Sequence, residues 1–314
     1  MKQNRALGTG AALGAFFLWG ILPLYWYAIR HVPAFVITLH RVGWAAVLAW
    51  IIVLVRRRLG LSDSYGSPAE VPLWPGWRVY GRLLPNGLVL VGNWGIYIWA
   101  VNNGHTLDAS LGYYINPLVN VLLGMLFFQE RLSPMQWIAV ALATGGVVLQ
   151  TVGLGYLPWI SLVLAFSFGI YGAVKKHTRM SSIHSLAVEL ASLGPAALLL
   201  IGVGVVLEWH SGTAMNPAWA GSDFLAGDPL STWVLLGAGV ATVAPLMLFG
   251  IAAQNIRLSD VGFFQYIGPT LMLIIGSTIF HEPLDQRRMP GFILVWIALL
   301  VYSLSNVLNR RRTV

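Results

Sequence analysis

The stretch Tyr114-Ile115-Asn116-Pro117, followed by Gly124 and Glu130, returns later in the chain as Tyr266-Ile267-Gly268-Pro269, Gly276 and Glu282. Both copies read Y-I-x-P-x6-G-x5-E, and the shift between them is 152 residues. In that register, residues 100–132 and 252–284 are identical at ten of 33 positions, among them Asn103/Asn255 and Asp108/Asp260. The same shift pairs Phe16 with Phe168 and Gly20 with Gly172. A biased composition yields a few coincidences; ten in one register mark a duplicated chain.

Around this repeat the chain is strongly apolar. Its 314 residues are 57% hydrophobic and 10% charged, whereas soluble domains carry about 25% charged residues. With a mean hydropathy of +0.72, too few charges remain to cover a globule in water. The 34 glycines and 14 tryptophans suit membrane helices that pack closely and anchor at interfaces. A hydrocarbon core of about 30 Å takes roughly 20 apolar residues as helix. Ten segments qualify, near 7–28, 34–55, 83–101, 108–128, 135–153, 156–174, 185–207, 232–253, 260–280 and 290–308. Pro23, Pro117, Pro195, Pro245 and Pro269 lie inside them, which argues against strands and is tolerated in membrane helices. The first segment is long enough to span and is read as a retained helix, not a cleaved signal.

The expected fold is therefore an all-α membrane protein of ten transmembrane helices in two five-helix repeats, 1–153 and 154–314. Five is odd, so the second repeat enters the membrane upside down. Inverted repeats of this kind are a recurrent plan of secondary transporters, whose halves rock about a central site. Two long loops, about 56–82 with its Ser62-to-Pro68 stretch and about 208–231 with Ser211-Gly212-Thr213 and Asp223, read as exposed linkers.

Orientation follows from lysine and arginine. With the N-terminus cytoplasmic, that side holds Lys2, Arg5, Arg56, Arg57, Arg58, Arg78, Arg82, Arg131, Lys175, Lys176, Arg179, Arg257, Arg310, Arg311 and Arg312, while the other holds only Arg30, Arg41, Arg287 and Arg288. Both termini are thus expected in the cytoplasm. Because the basic residues cluster between apolar segments, the net charge of +8 is a topology signal and not a nucleic-acid footprint. Lys175, Lys176 and Arg179 read most simply as topogenic loop charges.

Polar groups inside a span need a partner or a role. Glu189 lies about one turn into the seventh segment, and His40 and Arg41 about two turns into the second. Glu189 suits a proton or cation site and Arg41 an anion clamp; each could equally be solvated from its nearer interface. Tyr113, Asn116 and Asn120 form a stripe at i, i+3 and i+7 of the fourth segment. Asn86 and Asn93 lie seven apart on one face of the third, with Tyr97 beside them and Trp94 and Trp99 flanking the stretch. Gln265 and Tyr266 precede Pro269, Tyr171 lies in the sixth segment and Trp19 in the first. The candidate substrate-binding set is Trp19, Asn93, Trp94, Tyr113, Asn116, Asn120, Tyr171, Gln265 and Tyr266, with Glu189, Arg41 and His40 as coupling or charge sites. Amides and aromatics would suit a solute with a ring and hydrogen-bonding groups, and would serve interhelical hydrogen bonding as well. Pro117 and Pro269 are expected to kink their helices and free carbonyls toward a cavity. Glu130 and Glu282, at helix-to-loop junctions, read as structural groups that bond loop backbone.

Several chemistries find no residues. There is no cysteine, hence no disulfide or thiolate site. No Gly-Lys pair occurs, so a phosphate-binding P-loop is missing and pumping would draw on an ion gradient, exchange or downhill flux. H-E-x-x-H and G-x-S-x-G are missing too, and the seven histidines are scattered. We expect no enzyme, no metal and no cofactor; the partners are a small-molecule substrate and the lipid bilayer. Gly10-x-x-x-Gly14 permits close helix contact within one chain or between two, so oligomeric state stays open.

The segments G-N-W-G-I-Y-I-W-A-V-N-N (92–103), A-S-L-G-Y-Y-I-N-P-L-V-N-V-L-L-G-M (109–125) and Q-E-R-L (129–132) closely resemble the RarD proteins of the EamA group, in the drug/metabolite transporter superfamily. L-A-F-S-F-G-I-Y-G (164–172) and G-F-F-Q-Y-I-G-P-T-L-M (262–272) extend the likeness into the second half. The resemblance implies ten helices in two inverted repeats, a bacterial inner-membrane location and cytoplasmic termini. RarD proteins are labelled chloramphenicol-sensitive proteins or permeases. The expected function is secondary transport of a small drug-like or metabolite solute by alternating access, as an exporter or permease. A non-transporting sensor or assembly protein is the alternative.

Overall fold

The computed structural model describes residues 4–61, 72–103, 105–152, 156–178, 180–211, 229–281 and 289–311. The loop stretches 62–68 and 212–213, together with Arg179, Asp223, Glu282, Arg287 and Arg288, lie outside them. Among the described residues the regular elements are helices: α1 (Arg5–Tyr27), α2 (Ala34–Arg58), α3 (Trp77–Asn102), α4 (Thr106–Phe128), α5 (Pro134–Val152), α6 (Trp159–His177), α7 (Ser182–Glu189), α8 (Leu193–Ser211), α9 (Pro229–Asn255), α10 (Leu258–Gln265), α11 (Ile267–Thr278) and α12 (Met289–Arg311). Each of the ten predicted segments falls on a helix or on a broken pair. The ends of the two long predicted loops are helical, since α2 runs to Arg58, α3 starts at Trp77 and α8 runs to Ser211.

Eight helices among the described residues are long and apolar enough to cross a membrane, and a ninth if the bent pair α7–α8 counts as one span. The third predicted span, α3, is a 26-residue helix outside that set; Arg78, Arg82, Asn86 and Asn93 dilute its apolar residues. Large apolar side chains cover the outside of the bundle, with Phe127 70%, Leu300 71% and Trp233 72% exposed. A surface of that kind is unfavourable in water and is what lipid requires.

Local chemistry explains the helix ends and breaks. The Asn4 carboxamide accepts from the Leu7 amide and caps α1. The predicted seventh segment bends by 55° between α7 and α8, just ahead of Pro195, whose missing N–H leaves the turn at Ala191 without its helical bond. The ninth breaks at Tyr266, three residues before Pro269. Its counterpart α4 runs unbroken through Pro117, so the two matched prolines act differently. Gln129, after α4, and His281, after α11, are the non-glycine residues with positive φ among those described, at 52° and 54°. They lie 152 residues apart, so each copy of the repeated motif closes with the same left-handed turn.

Packing follows the repeat as well. The 152-residue shift carries α1 onto α6, α2 onto α7–α8, α3 onto α9, α4 onto α10–α11 and α5 onto α12. Helix α1 packs on α9 and α11; its counterpart α6 packs on α3 and α4. The contacts α2 with α8, α4 with α10 and α5 with α12 join equivalent elements. One core cluster gathers Phe16, Tyr171, Leu186, Leu190 and Phe249, and a second gathers Tyr114, Phe263, Tyr266, Phe292 and Tyr302.

Candidate functional site

Arg41 lies on α2 seven residues from its start, roughly 10 Å along the helix axis. Its Nε donates to the Thr242 hydroxyl on α9 at 3.3 Å. The guanidinium carbon is 4.4 Å from the Trp94 ring centroid and 5.6 Å from that of Trp26, within cation–π range. Tyr97, three residues along α3 from Trp94, has its ring 5.8 Å from that of Tyr113 on α4. The groups that touch Arg41 therefore come from α1, α3 and α9. Arg41, Trp26, Trp94 and Tyr97 are each partly open and Tyr113 is 39% exposed, so these side chains line a space. No carboxylate among the described residues pairs with Arg41, and its terminal nitrogens are neither hydrogen-bonded to another described residue nor sealed.

Trp19 sits in an aromatic nest. Trp19 lies 5.5 Å from Phe16, 5.7 Å from Phe168 and 5.7 Å from Phe249, and Tyr171 stacks on Phe249 at 6.0 Å. Trp19 is partly open, whereas Tyr171 is fully buried.

Tyr171 belongs to a second constellation. Its hydroxyl donates to Glu189 Oε2 at 3.4 Å, Asn86 Nδ2 donates to Oε1 at 3.0 Å, and Lys175 Nζ makes an ion pair with Oε2 at 3.0 Å. Lys175 also donates to the Ser185 hydroxyl at 2.7 Å. Both charges are fully buried. Lys175 is thus not the loop charge its sequence position suggested: α6 extends to His177, and Glu189 at the end of α7 meets the lysine. Lys176 is likewise partly buried, bonding the Ile256 carbonyl and lying 3.5 Å from Glu130. A pair fourteen residues apart on two helices is invisible to a search for partners within one span.

The amide stripe forms a third group. Asn116 Nδ2 donates to the Ala165 carbonyl on α6, and Asn120 Nδ2 donates to Asn116 Oδ1 at 3.2 Å and to Gln265 Oε1 on α10 at 3.1 Å. All three are buried and turned toward one another across α4, α6 and α10. Tyr113 instead packs edge-on against Tyr97. Asn93 donates to the Leu164 carbonyl at 2.9 Å and to Ser167 at 2.8 Å, and remains partly open beside Trp94. Tyr266 is buried and donates to the Tyr114 carbonyl at 3.2 Å. His40 is buried and accepts from Trp44 through Nδ1 at 3.0 Å.

Of the residues predicted from sequence, Arg41, Trp94 and Tyr113 converge, Trp19 and Tyr171 meet in the aromatic nest, and Asn116, Asn120 and Gln265 interlock elsewhere. Trp26 and Thr242 complete the Arg41 group and were missed; each is an ordinary residue of an apolar helix until the fold brings it to the guanidinium. Among the described residues, no three His, Asp or Glu side chains converge as metal ligands would.

Comparison with known proteins agrees with this architecture. The EamA-like transporter family matches residues 6–152. The chain is 39% identical to an uncharacterized transporter of Pseudomonas aeruginosa over 98% of this chain and 97% of that one. It is 38% identical to the protein RarD of Escherichia coli K12 over 99% and 98%. A solved crystal structure at 18% identity covers 96% of this chain and 98% of its own, with a TM-score of 0.66; at that identity it speaks to the fold alone. Apolar helices in this number, with relatives of this kind, make the molecule a multi-pass membrane protein. The chain belongs to the RarD family of EamA-like transporters.

Proposed function

We propose that this protein is a secondary transporter of a small drug-like or metabolite solute, working by alternating access without ATP. In this reading its ten helices form two inverted five-helix repeats, 1–153 and 154–314, in a bacterial inner membrane with both termini cytoplasmic. The observation that carries the proposal is the Arg41 group. A guanidinium with open terminal nitrogens lies among partly open aromatics, inside a bundle, where α2 of one repeat touches α9 of the other. An intramembrane charge of that kind is unfavourable unless it has work to do. Solute would bind against Arg41, Trp94, Tyr97 and Tyr113, with Trp19 and Asn93 nearby, while Asn116, Asn120 and Gln265 hold helices together.

The repeat supports the mechanism. Equivalent helices meet at α2–α8, α4–α10 and α5–α12, so either half can exchange roles with the other about a shared axis. One end of the bundle is cross-linked by polar groups. Asn4 N donates to Asn255 Oδ1 at 3.1 Å, Lys176 bridges to Glu130, and Glu130 accepts from the Leu258 and Ser259 amides at 2.7 and 3.0 Å. With N-in orientation this end is cytoplasmic and would have to open for solute to enter or leave. Glu189 is a coupling site only if Lys175 releases it.

The test is flux. Purified protein in proteoliposomes should carry any solute it binds, saturably and with countertransport, and an imposed proton gradient should show whether coupling exists. A solute that binds at Arg41 yet is never carried would replace transport with a sensing role.

A further inference from the structure

The same site also bears on what the solute is, and this step rests on the transport reading above. Arg41 stays protonated at any physiological pH, so the group carries a fixed positive charge. Its Nε is committed to Thr242, while the two terminal nitrogens make no hydrogen bond to another described residue and are not sealed from solvent. A guanidinium in that state offers a two-pronged donor face that matches a carboxylate. The flanking surfaces are aromatic: Trp94 lies under the guanidinium at 4.4 Å, Trp26 lies beside it at 5.6 Å, and the Tyr97–Tyr113 pair follows.

What the site lacks is equally informative. A zwitterionic amino acid or a cation would need an acidic group to receive its ammonium. Glu189, the buried carboxylate within the bundle at α7, is already occupied by Lys175, Asn86 and Tyr171. Asp108 is engaged by His105 and Tyr156, and Asp260 by Tyr302, Arg257 and Asn306. Glu130 caps α10. Glu189, Asp108, Asp260 and Glu130 are thus each used by other groups, and none of the four forms an ion pair with Arg41.

We infer that the protein selects organic monoanions, carboxylates carried on an aromatic ring, with Arg41 receiving the carboxylate and Trp94, Tyr97 and Tyr113 receiving the ring. Zwitterions, amines and neutral amides of the same shape are rejected. A zwitterion brings an ammonium that would be buried without a partner, and a neutral amide gives up the charge-assisted pair.

The experiment compares four probes of one shape, 3-phenylpropanoate, 3-phenylpropanamide, 3-phenylpropylamine and phenylalanine, by titration calorimetry on the full chain in phosphatidylcholine nanodiscs. The acid is expected to bind at least roughly tenfold more tightly than the other three, the factor that a charge-assisted pair supplies. Arg41→Gln should erase that margin. Arg41→Lys should weaken the acid about tenfold, since the fork geometry is lost, while keeping its margin over the amide. If Arg41→Gln does not fold, the acid-to-amide ratio of the wild type still decides. Equal affinity for acid and amide, tighter binding of the amine or phenylalanine, or no saturable binding of the acid overturns the inference. Flux of the same four probes separates it from the transport reading: carriage without anion preference ends this inference alone, and Arg41-dependent binding without carriage ends the transport reading alone.

Discussion

Tyr266 donates its phenolic hydrogen to the backbone carbonyl of Tyr114 at 3.2 Å, and the two residues are the same position of the duplicated motif. Their rings lie 6.5 Å apart, inside the cluster that also holds Phe263, Phe292 and Tyr302. The bond joins α4 to the break between α10 and α11, where the two copies of the motif meet. Tyr266→Phe removes the donor and keeps the ring. A single buried hydrogen bond is worth about 1 kcal/mol, so a small loss of thermal stability in detergent is expected. A loss several times larger would show that the break itself depends on this bond.

The Lys175–Glu189 pair should behave as one unit. Removing either charge leaves the other buried without a counterion, at a cost of about 3–5 kcal/mol. Lys175→Met and Glu189→Leu are each expected to lower the unfolding midpoint sharply. The double variant should recover most of that loss, because two apolar side chains fill the same space without charge. Additive losses in a double-mutant cycle would mean that the two groups act separately.

Glu130 reaches from the end of α4 to the start of α10, where its carboxylate accepts from two backbone amides and from the Ser259 hydroxyl at 2.8 Å. It therefore acts as an N-cap supplied from a distant stretch of chain, and its negative charge suits the positive end of the helix. Glu130→Gln should cost about 1–2 kcal/mol, measured by thermal unfolding. Ser259→Ala should cost less, since both amide bonds survive.

Gly87 and Gly239 are a repeat pair that sets how closely helices approach. A Cβ on Gly87 would sit 2.5 Å from the Glu189 carbonyl oxygen, and one on Gly239 would sit 2.8 Å from that of Trp44. Both obstacles are backbone and cannot turn aside. Either glycine to alanine should therefore push two helices apart and destabilise by about 1–3 kcal/mol. Gly202→Ala, with open space around it, is the matched control and should be neutral in the same melt.

The apolar segments, the 152-residue repeat and the resemblance to RarD proteins were all legible along the chain, because span length and motif spacing are local properties. The roles of Glu130 as a backbone acceptor and of Arg41 as an unpaired intramembrane cation could be read in part from position alone. Pro117 and Pro269 show the limit: the same residue at the same motif position leaves α4 unbroken and interrupts its counterpart at Tyr266, since neighbouring helices decide whether a missing N–H becomes a break.

The order of residues alone marks a duplicated, helical membrane protein with no cysteine and no Gly-Lys phosphate-binding loop. Which polar side chains work together emerges from the packing of the helices. It took Lys175 out of a loop and placed it on Glu189, closed Asn116 and Asn120 onto Gln265, and set Arg41 over the Trp94 ring without a carboxylate partner among the described residues. Helical phase fixes the face a side chain occupies, whereas the partner on that face comes from a helix as far as 209 residues away.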